Sequence, residues 1–183
     1  MTSSSSVPDF RFETFGEPGL TAALAEATRL ASEIATGTLP RWLTFCGKSG
    51  NGKTHLAKAL WRWIKATQDT RQAQFSFGMT MWHWPSFVAD LRSGDRRGEW
   101  REASGWPFLC VDDIGADRQT DNSAEALSTL LCARTGRWTI LTTNLTARAL
   151  ADDLDARIVS RMVRFGGRIV ELSTKDYGFR SHK

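Results

Sequence analysis

Apolar positions along the chain recur in two rhythms, and their alternation predicts a parallel sheet wrapped by helices. Leu20, Leu24, Ala27, Leu30, Ala31 and Ile34 fall at helical spacing, which predicts a helix over Gly19–Thr36 that stops at Gly37. Arg41–Cys46 is a short apolar run with β-branched Thr44 and reads as a buried strand. Helical spacing returns over His55–Ala66 through Leu56, Ala59, Leu60, Trp63 and Ile64. Phe75 and Phe77 suggest a second strand over Gln74–Met79.

From Thr80 to Trp106 the pattern is irregular. Pro85 suits the first turn of a short helix carrying Phe87, Val88 and Leu91; Ser93–Gly98 reads as a polar loop, and Trp100 opens another helical turn. Phe108–Asp112 is a continuous apolar run ending in acid, again a buried strand. A helix over Ser123–Arg134 turns Ala126, Leu127, Leu130 and Leu131 inward. Trp138–Thr143 is a strand, Ala147–Leu150 and Asp153–Val163 are helical, and Arg168–Leu172 is the last strand. Five short strands alternating with helices predict an α/β domain with helices on both sheet faces.

Composition changes little in this picture. A chain of 183 residues fits one domain. Residues 1–11 are rich in serine and are expected to form a disordered tail; 12–183 are expected to form the domain. No run approaches the roughly 18 apolar residues of a membrane span, and the polar N-terminus lacks a secretory core. The three cysteines, Cys46, Cys110 and Cys132, sit in apolar stretches and read as buried reduced thiols, which suggests a cytoplasmic protein. A net charge of +4 is compatible with nucleic acid without establishing it.

Candidate chemistry centres on Gly47–Thr54, which fits G-x-x-x-x-G-K-[ST] between a predicted strand and a predicted helix. Glycines let the backbone point its N–H groups at phosphates, and the helix start adds donors. The expected nucleotide contacts are Gly47, Lys48, Ser49, Gly50, Asn51, Gly52, Lys53, Thr54 and His55. Lys53 is expected to reach the β- and γ-phosphates, and Thr54 to hold Mg²⁺. The strand Phe108–Asp112 delivers Asp112 and Asp113 to the same crevice, Asp112 for Mg²⁺ and Asp113 for the attacking water. Asn144 ends another strand. It suits either a cap for the next helix or a group that holds water against the γ-phosphate, and the company of the other motifs favours the second. Arg157 and Arg161 share one helix face, opposite Ile158 and Met162. They read either as a solvated basic face or as arginines that complete a neighbouring subunit's site.

In this order the motifs resemble the DnaC/IstB-type branch of the AAA+ ATPases, bacterial helicase loaders and transposition helpers related to replication initiators. The resemblance rests on Gly-Lys-Thr-His-Leu-Ala, Val-Asp-Asp-Ile-Gly, Leu-Thr-Thr-Asn-Leu, Arg-Ile-Val-Ser-Arg-Met and Val-Glu-Leu-Ser-Thr-Lys-Asp-Tyr, and runs from about Phe12 to Tyr177. It implies a P-loop sheet in the order 5-1-4-3-2 and ATP-linked assembly into rings or filaments; many such proteins add a helical lid, but only eleven residues follow Leu172, so little or no C-terminal lid is expected. Lys53, Thr54 and Asp112 match the ATP and Mg²⁺ ligands. Asp113 stands where many relatives place glutamate, Asn144 matches a sensor, and Arg161 matches an arginine finger supported by Arg157. Phe12-Glu13-Thr14-Phe15 resembles the segment near the adenine, and Arg180 is a candidate second sensor.

The resemblance also implies a helical insertion over about Thr80–Ser104 that grips single-stranded DNA. There Trp82, His83, Trp84 and Trp100 mingle with Arg92, Arg96, Arg97 and Arg101, which suits either a stacking and cationic track for a single strand or tryptophans that belong to a core or interface, with His83 a surface or packing residue. Expected partners are ATP and ADP, single-stranded DNA, a replicative helicase or a transposase, and further copies of the chain, but no membrane. About a dozen residues precede the core, fewer than the helicase-gripping domain of full loaders. The shorter aspartate at Asp113 predicts slow hydrolysis that depends on assembly. A small-molecule P-loop kinase and a nucleotide-gated assembly module with negligible turnover are the competing classes.

Overall fold

The computed structural model describes residues 18–71, 79–94, 99–115, 121–154 and 156–174. The predicted tail, Phe12–Phe15, Phe75, Phe77, Arg96, Arg97 and Arg180 lie outside them. Five strands form one all-parallel sheet in the order β2-β3-β4-β1-β5 (Met79–His83, Phe108–Ile114, Trp138–Thr143, Trp42–Cys46 and Arg168–Glu171). Read from the other edge, this is the expected 5-1-4-3-2. The helices are α1 (Pro18–Thr36), α2 (Lys53–Arg71), α3 (Trp84–Ser93), α4 (Glu99–Gly105), α5 (Asp121–Ala133), α6 (Ala147–Asp153) and α7 (Ala156–Val163).

The pleat sorts side chains to two cores. On β1, Leu43 and Phe45 face α1 and α2, packing with Leu20, Leu30, Leu56 and Ile64. Trp42 and Cys46 face the other way, toward Leu127, Leu130, Leu150 and Ile158. Every residue of the central strands β1 and β4 is buried, as expected of strands covered on both sides. On α1, Ala23 is fully buried and Leu24 only partly, so the buried face lies slightly off the predicted one. Arg168 at the start of β5 forks onto Glu33 of α1 at 2.9 and 3.0 Å. Burial alone would raise the Glu33 carboxyl, but the Arg168 hydrogen bond and charge, with Arg41 and Arg29 nearby, hold it below its ordinary value.

Two expectations need correction, and a third lies mostly outside the described residues: of the strand expected over Gln74–Met79 only Met79 is described, where it begins β2 (Met79–His83). Its five residues pair one for one with Phe108–Asp112, which sends Trp82 into the core beside Phe87. The tryptophan-rich segment is irregular in sequence because strand and helix abut at His83 and Trp84. The helix expected from Asp153 starts at Ala156, because Leu154 is extended and caps α6. Cys46 and Cys110 are buried, but Cys132 is exposed, on the outer face of α5. No helix among the described residues is long and apolar enough to cross a membrane.

Candidate functional site

The turn after β1 is possible only with glycine at its first position. Gly47 has φ of 122°, and a Cβ there would lie 2.5 Å from the Leu172 carbonyl oxygen. Its N–H donates to the Leu145 carbonyl at 2.8 Å, so the loop is pinned between the ends of β4 and β5. Asn51 is buried. Its amide donates to the Leu172 carbonyl at 2.6 Å, and Thr174 donates to the Asn51 carbonyl at 3.1 Å. Its side chain braces the loop from behind rather than facing the crevice. Lys53, the first residue of α2, is also buried; its ammonium donates to the Lys48 carbonyl at 2.7 Å and to Asn51 Oδ1 at 3.1 Å. Burial lowers the Lys53 pKa, against the opposing pull of Asp113, Cys46 and Asp112. Burial, with Glu171 nearby, pushes the Cys46 thiol beneath it up to about 12.

The acids arrive on β3. Thr54 donates to Asp112 Oδ1 at 2.9 Å and Thr142 donates to the same oxygen at 2.6 Å, so β3 and β4 aim one carboxylate at the start of α2. A hydroxyl beside a carboxylate suits Mg²⁺, which takes one or two protein oxygens and completes its shell with water and phosphate. The ladder between β3 and β4 shifts after Val111, and Asp113 takes a left-handed conformation, φ 66°. The Asp113 N–H is held by Thr142 Oγ1 at 2.8 Å, and its carboxylate accepts a short hydrogen bond from the Asn144 amide. The alternative role of Asn144 as a helix cap is taken by Thr146, whose hydroxyl accepts from Ala149 N–H at 3.1 Å. Burial raises the Asp113 pKa and adjacent Asp112 adds to it, while His83 and Lys53 pull it down.

Ser49, Gly50, Gly52, Lys53, Thr54 and His55 line one side of an open cavity of about 310 Å³, and Asp113 and Asn144 line the other. Two neighbours of the acids were missed in sequence. His83 ends β2 in register with Asp112. Its Nε2 lies 3.9 Å from Asp113 Oδ2, and its Nδ1 is 2.8 Å from Ser86 Oγ. Thr142 braces both acids. The only signal for either was its place at a strand end, and which strands adjoin is a property of the sheet.

Arg157 and Arg161 do not reach this cavity. They sit on α7, opposite buried Ile158 and Met162 as expected, and Arg161 donates to the Arg157 carbonyl at 3.3 Å. Arg161 lines a separate hollow together with Trp42, the first residue of β1, and Thr135–Gly136, just before β4. The phosphate loop follows the last residue of β1. The two sites are therefore at opposite ends of the same strands, roughly 16 Å apart along a five-residue strand. In the expected DNA-gripping segment Trp82 and Trp84 are buried in the core, so neither presents a face for base stacking.

No protein-family model matches the chain. YdaV of Escherichia coli (strain K12), itself uncharacterised, is 32% identical over 158 residues, 85% of this chain. The chain spans 61% of the length of that relative. The crystal structure of DnaI superposes with a TM-score of 0.71 at 20% identity, over 96% of this chain and 93% of that one. The DnaC helicase loader gives 0.69 at 20% identity, over 94% and 99%. The replication initiator DnaA bound to AMPPCP and single-stranded DNA gives 0.66 at 18% identity, over 88% and 49%. The fold is thus the P-loop AAA+ fold of the DnaC type.

Proposed function

We propose that this chain binds ATP with Mg²⁺ and hydrolyses it slowly, as a helicase-loader-like AAA+ module that assembles head to tail on single-stranded DNA. One observation carries the reading: Lys53, Thr54, Asp113 and Asn144 line one cavity, reached from three different strand ends, and buried Asp112 accepts from Thr54 at its wall. In this reading the loop N–H groups and Lys53 hold the phosphates. The ammonium exchanges the Lys48 and Asn51 oxygens for phosphate oxygens. Thr54 and Asp112 hold Mg²⁺, which neutralises phosphate charge when bound. Asp113 takes the proton of the attacking water, oriented by Asn144 and His83. Arg161, at the far end of the sheet, serves the neighbouring subunit's γ-phosphate, with Arg157 behind it. The DnaI, DnaC and DnaA likenesses support a replication setting. An ATP-dependent transposition helper is the nearest alternative on the same site.

The test is phosphate release from ATP, with and without single-stranded DNA. We expect slow release that rises with DNA and with protein concentration, and that Lys53→Ala abolishes along with nucleotide affinity. Transfer of phosphate to a small acceptor would instead make the chain a kinase, and unchanged affinity in Lys53→Ala would remove the reading altogether.

A further inference from the structure

The outer face of α2 is a row of cations. From Lys53 to Thr67 the helix carries no carboxylate, and Lys58, Arg62 and Lys65 stand exposed on it. Spacings of four and three residues put these three on one face, in line with exposed His55 at the rim of the nucleotide cavity. At a rise of about 1.5 Å per residue, successive cations are about 4.5–6 Å apart along the axis. Lys65 is held in place: its ammonium lies 5.5 Å from the centre of the half-buried Trp61 ring. Among the described residues none of the three pairs with a carboxylate. A solvated helix face ordinarily mixes such cations with acids three or four residues away. Helix α1, packed beside α2, does so, with Arg29 between Glu26 and Glu33.

We propose that this face of α2 is the track for the phosphate backbone of a single nucleic-acid strand, with Lys58, Arg62 and Lys65 as the phosphate contacts. The inference rests on the single-stranded DNA reading above and gives it a place in the molecule that buried Trp82 and Trp84 do not supply. Charge selects a polyanion, and a line of cations at near-regular steps suits a linear one. A duplex presents two backbones across a major groove of about 12 Å, whereas one row of cations meets one backbone. A protein partner or a membrane surface would need apolar side chains to bury. The large exposed apolar residues among those described, Leu39, Val163 and Phe165, all lie off α2. Phosphate contacts carry no sequence information, so the track is indifferent to base sequence. One helix then serves both ligands, since Lys53 and Thr54 at its start line the nucleotide cavity and the track begins within two turns of them.

The test uses the full chain with AMPPCP and Mg²⁺. Anisotropy of a fluorescent oligothymidylate measures binding over a series of salt concentrations, for the wild type, for Arg62→Lys, and for the triple variant Lys58→Gln, Arg62→Gln, Lys65→Gln. Glutamine keeps the helix preference of the cations it replaces. His55 is left in place because it borders the nucleotide cavity. Each phosphate contact on a single strand contributes about 0.7 to the slope of log affinity against log salt. We expect the triple variant to bind AMPPCP as the wild type does, to bind the strand about tenfold or more weakly, and to lose about 2 from that slope. Arg62→Lys keeps the charge and is expected to keep the wild-type slope. Wild-type affinity and slope in the triple variant would overturn this inference and leave single-stranded DNA binding elsewhere on the chain. A wild type that binds no oligothymidylate would overturn the DNA reading and this inference with it. Tighter binding of a duplex of the same length, lost in the triple variant, would assign the face to duplex DNA and also overturn the proposal.

Discussion

At the scale of single residues, Asp113 concentrates the chemistry. Its backbone leaves the strand at the ladder shift, which turns its carboxylate into the cavity between Asn144 and His83. Burial and Asp112 raise its pKa. A base works only when deprotonated, so ATP hydrolysis is expected to fall as pH drops through that raised value. His83 pulls the value down, so His83→Ala is expected to move the acid limb to higher pH; a pH profile of single-turnover hydrolysis measures both. Asp113→Asn is expected to lower hydrolysis by about 100-fold or more with nucleotide affinity kept. Lys53, Thr54 and Asp112 were legible because a local motif dictates them. His83 and Thr142 were not, because their contacts arise from strand register. Asn51 was legible as part of the loop but not in its role, which depends on the distant Leu172 carbonyl.

At the scale of elements, legibility followed burial. β4 was predicted to the residue, and β1 within one, because each is a fully buried run between turn signals. The strand character of Thr80–His83 was not legible because β2 runs without a break into α3. The least expected tie is Arg134, which reads in sequence as a polar helix end. It is fully buried, and its guanidinium donates to carbonyls of Ala103, Trp106 and Trp138 and to Thr139 Oγ1. It thereby fastens the end of α4 to the starts of β3 and β4. Five donors in a planar fork meet several carbonyls at once, which a lysine cannot do. Arg134→Ala is expected to cost roughly 2–4 kcal/mol, since it strands several buried carbonyls, and Arg134→Lys to recover only part. Urea unfolding of the two variants, read against the wild type, tests this.

At the scale of the whole molecule, a parallel sheet gives the domain two unlike ends. All five strands deliver their C-terminal ends to the phosphate loop side, and the N-terminal ends carry Arg161 and its neighbours. The arginine pair was legible in sequence, but its separation from the loop follows from strand direction alone. If Arg161 serves the next subunit, Arg161→Ala is expected to lower hydrolysis by about 10³-fold while its own nucleotide site stays intact. Asp113→Asn has the complementary defect: an idle nucleotide site and a working arginine. Alone, each variant is expected to hydrolyse ATP at about a hundredth of the wild-type rate or less. Mixed in equal amounts, half the nucleotide sites are intact and half the neighbouring arginines are intact, so about a quarter of random head-to-tail contacts combine both. Phosphate release from the mixture is therefore expected to recover to about a quarter of the wild-type rate. A mixture no more active than its parts would place Arg161 outside the neighbour's site and leave each domain to hydrolyse ATP alone.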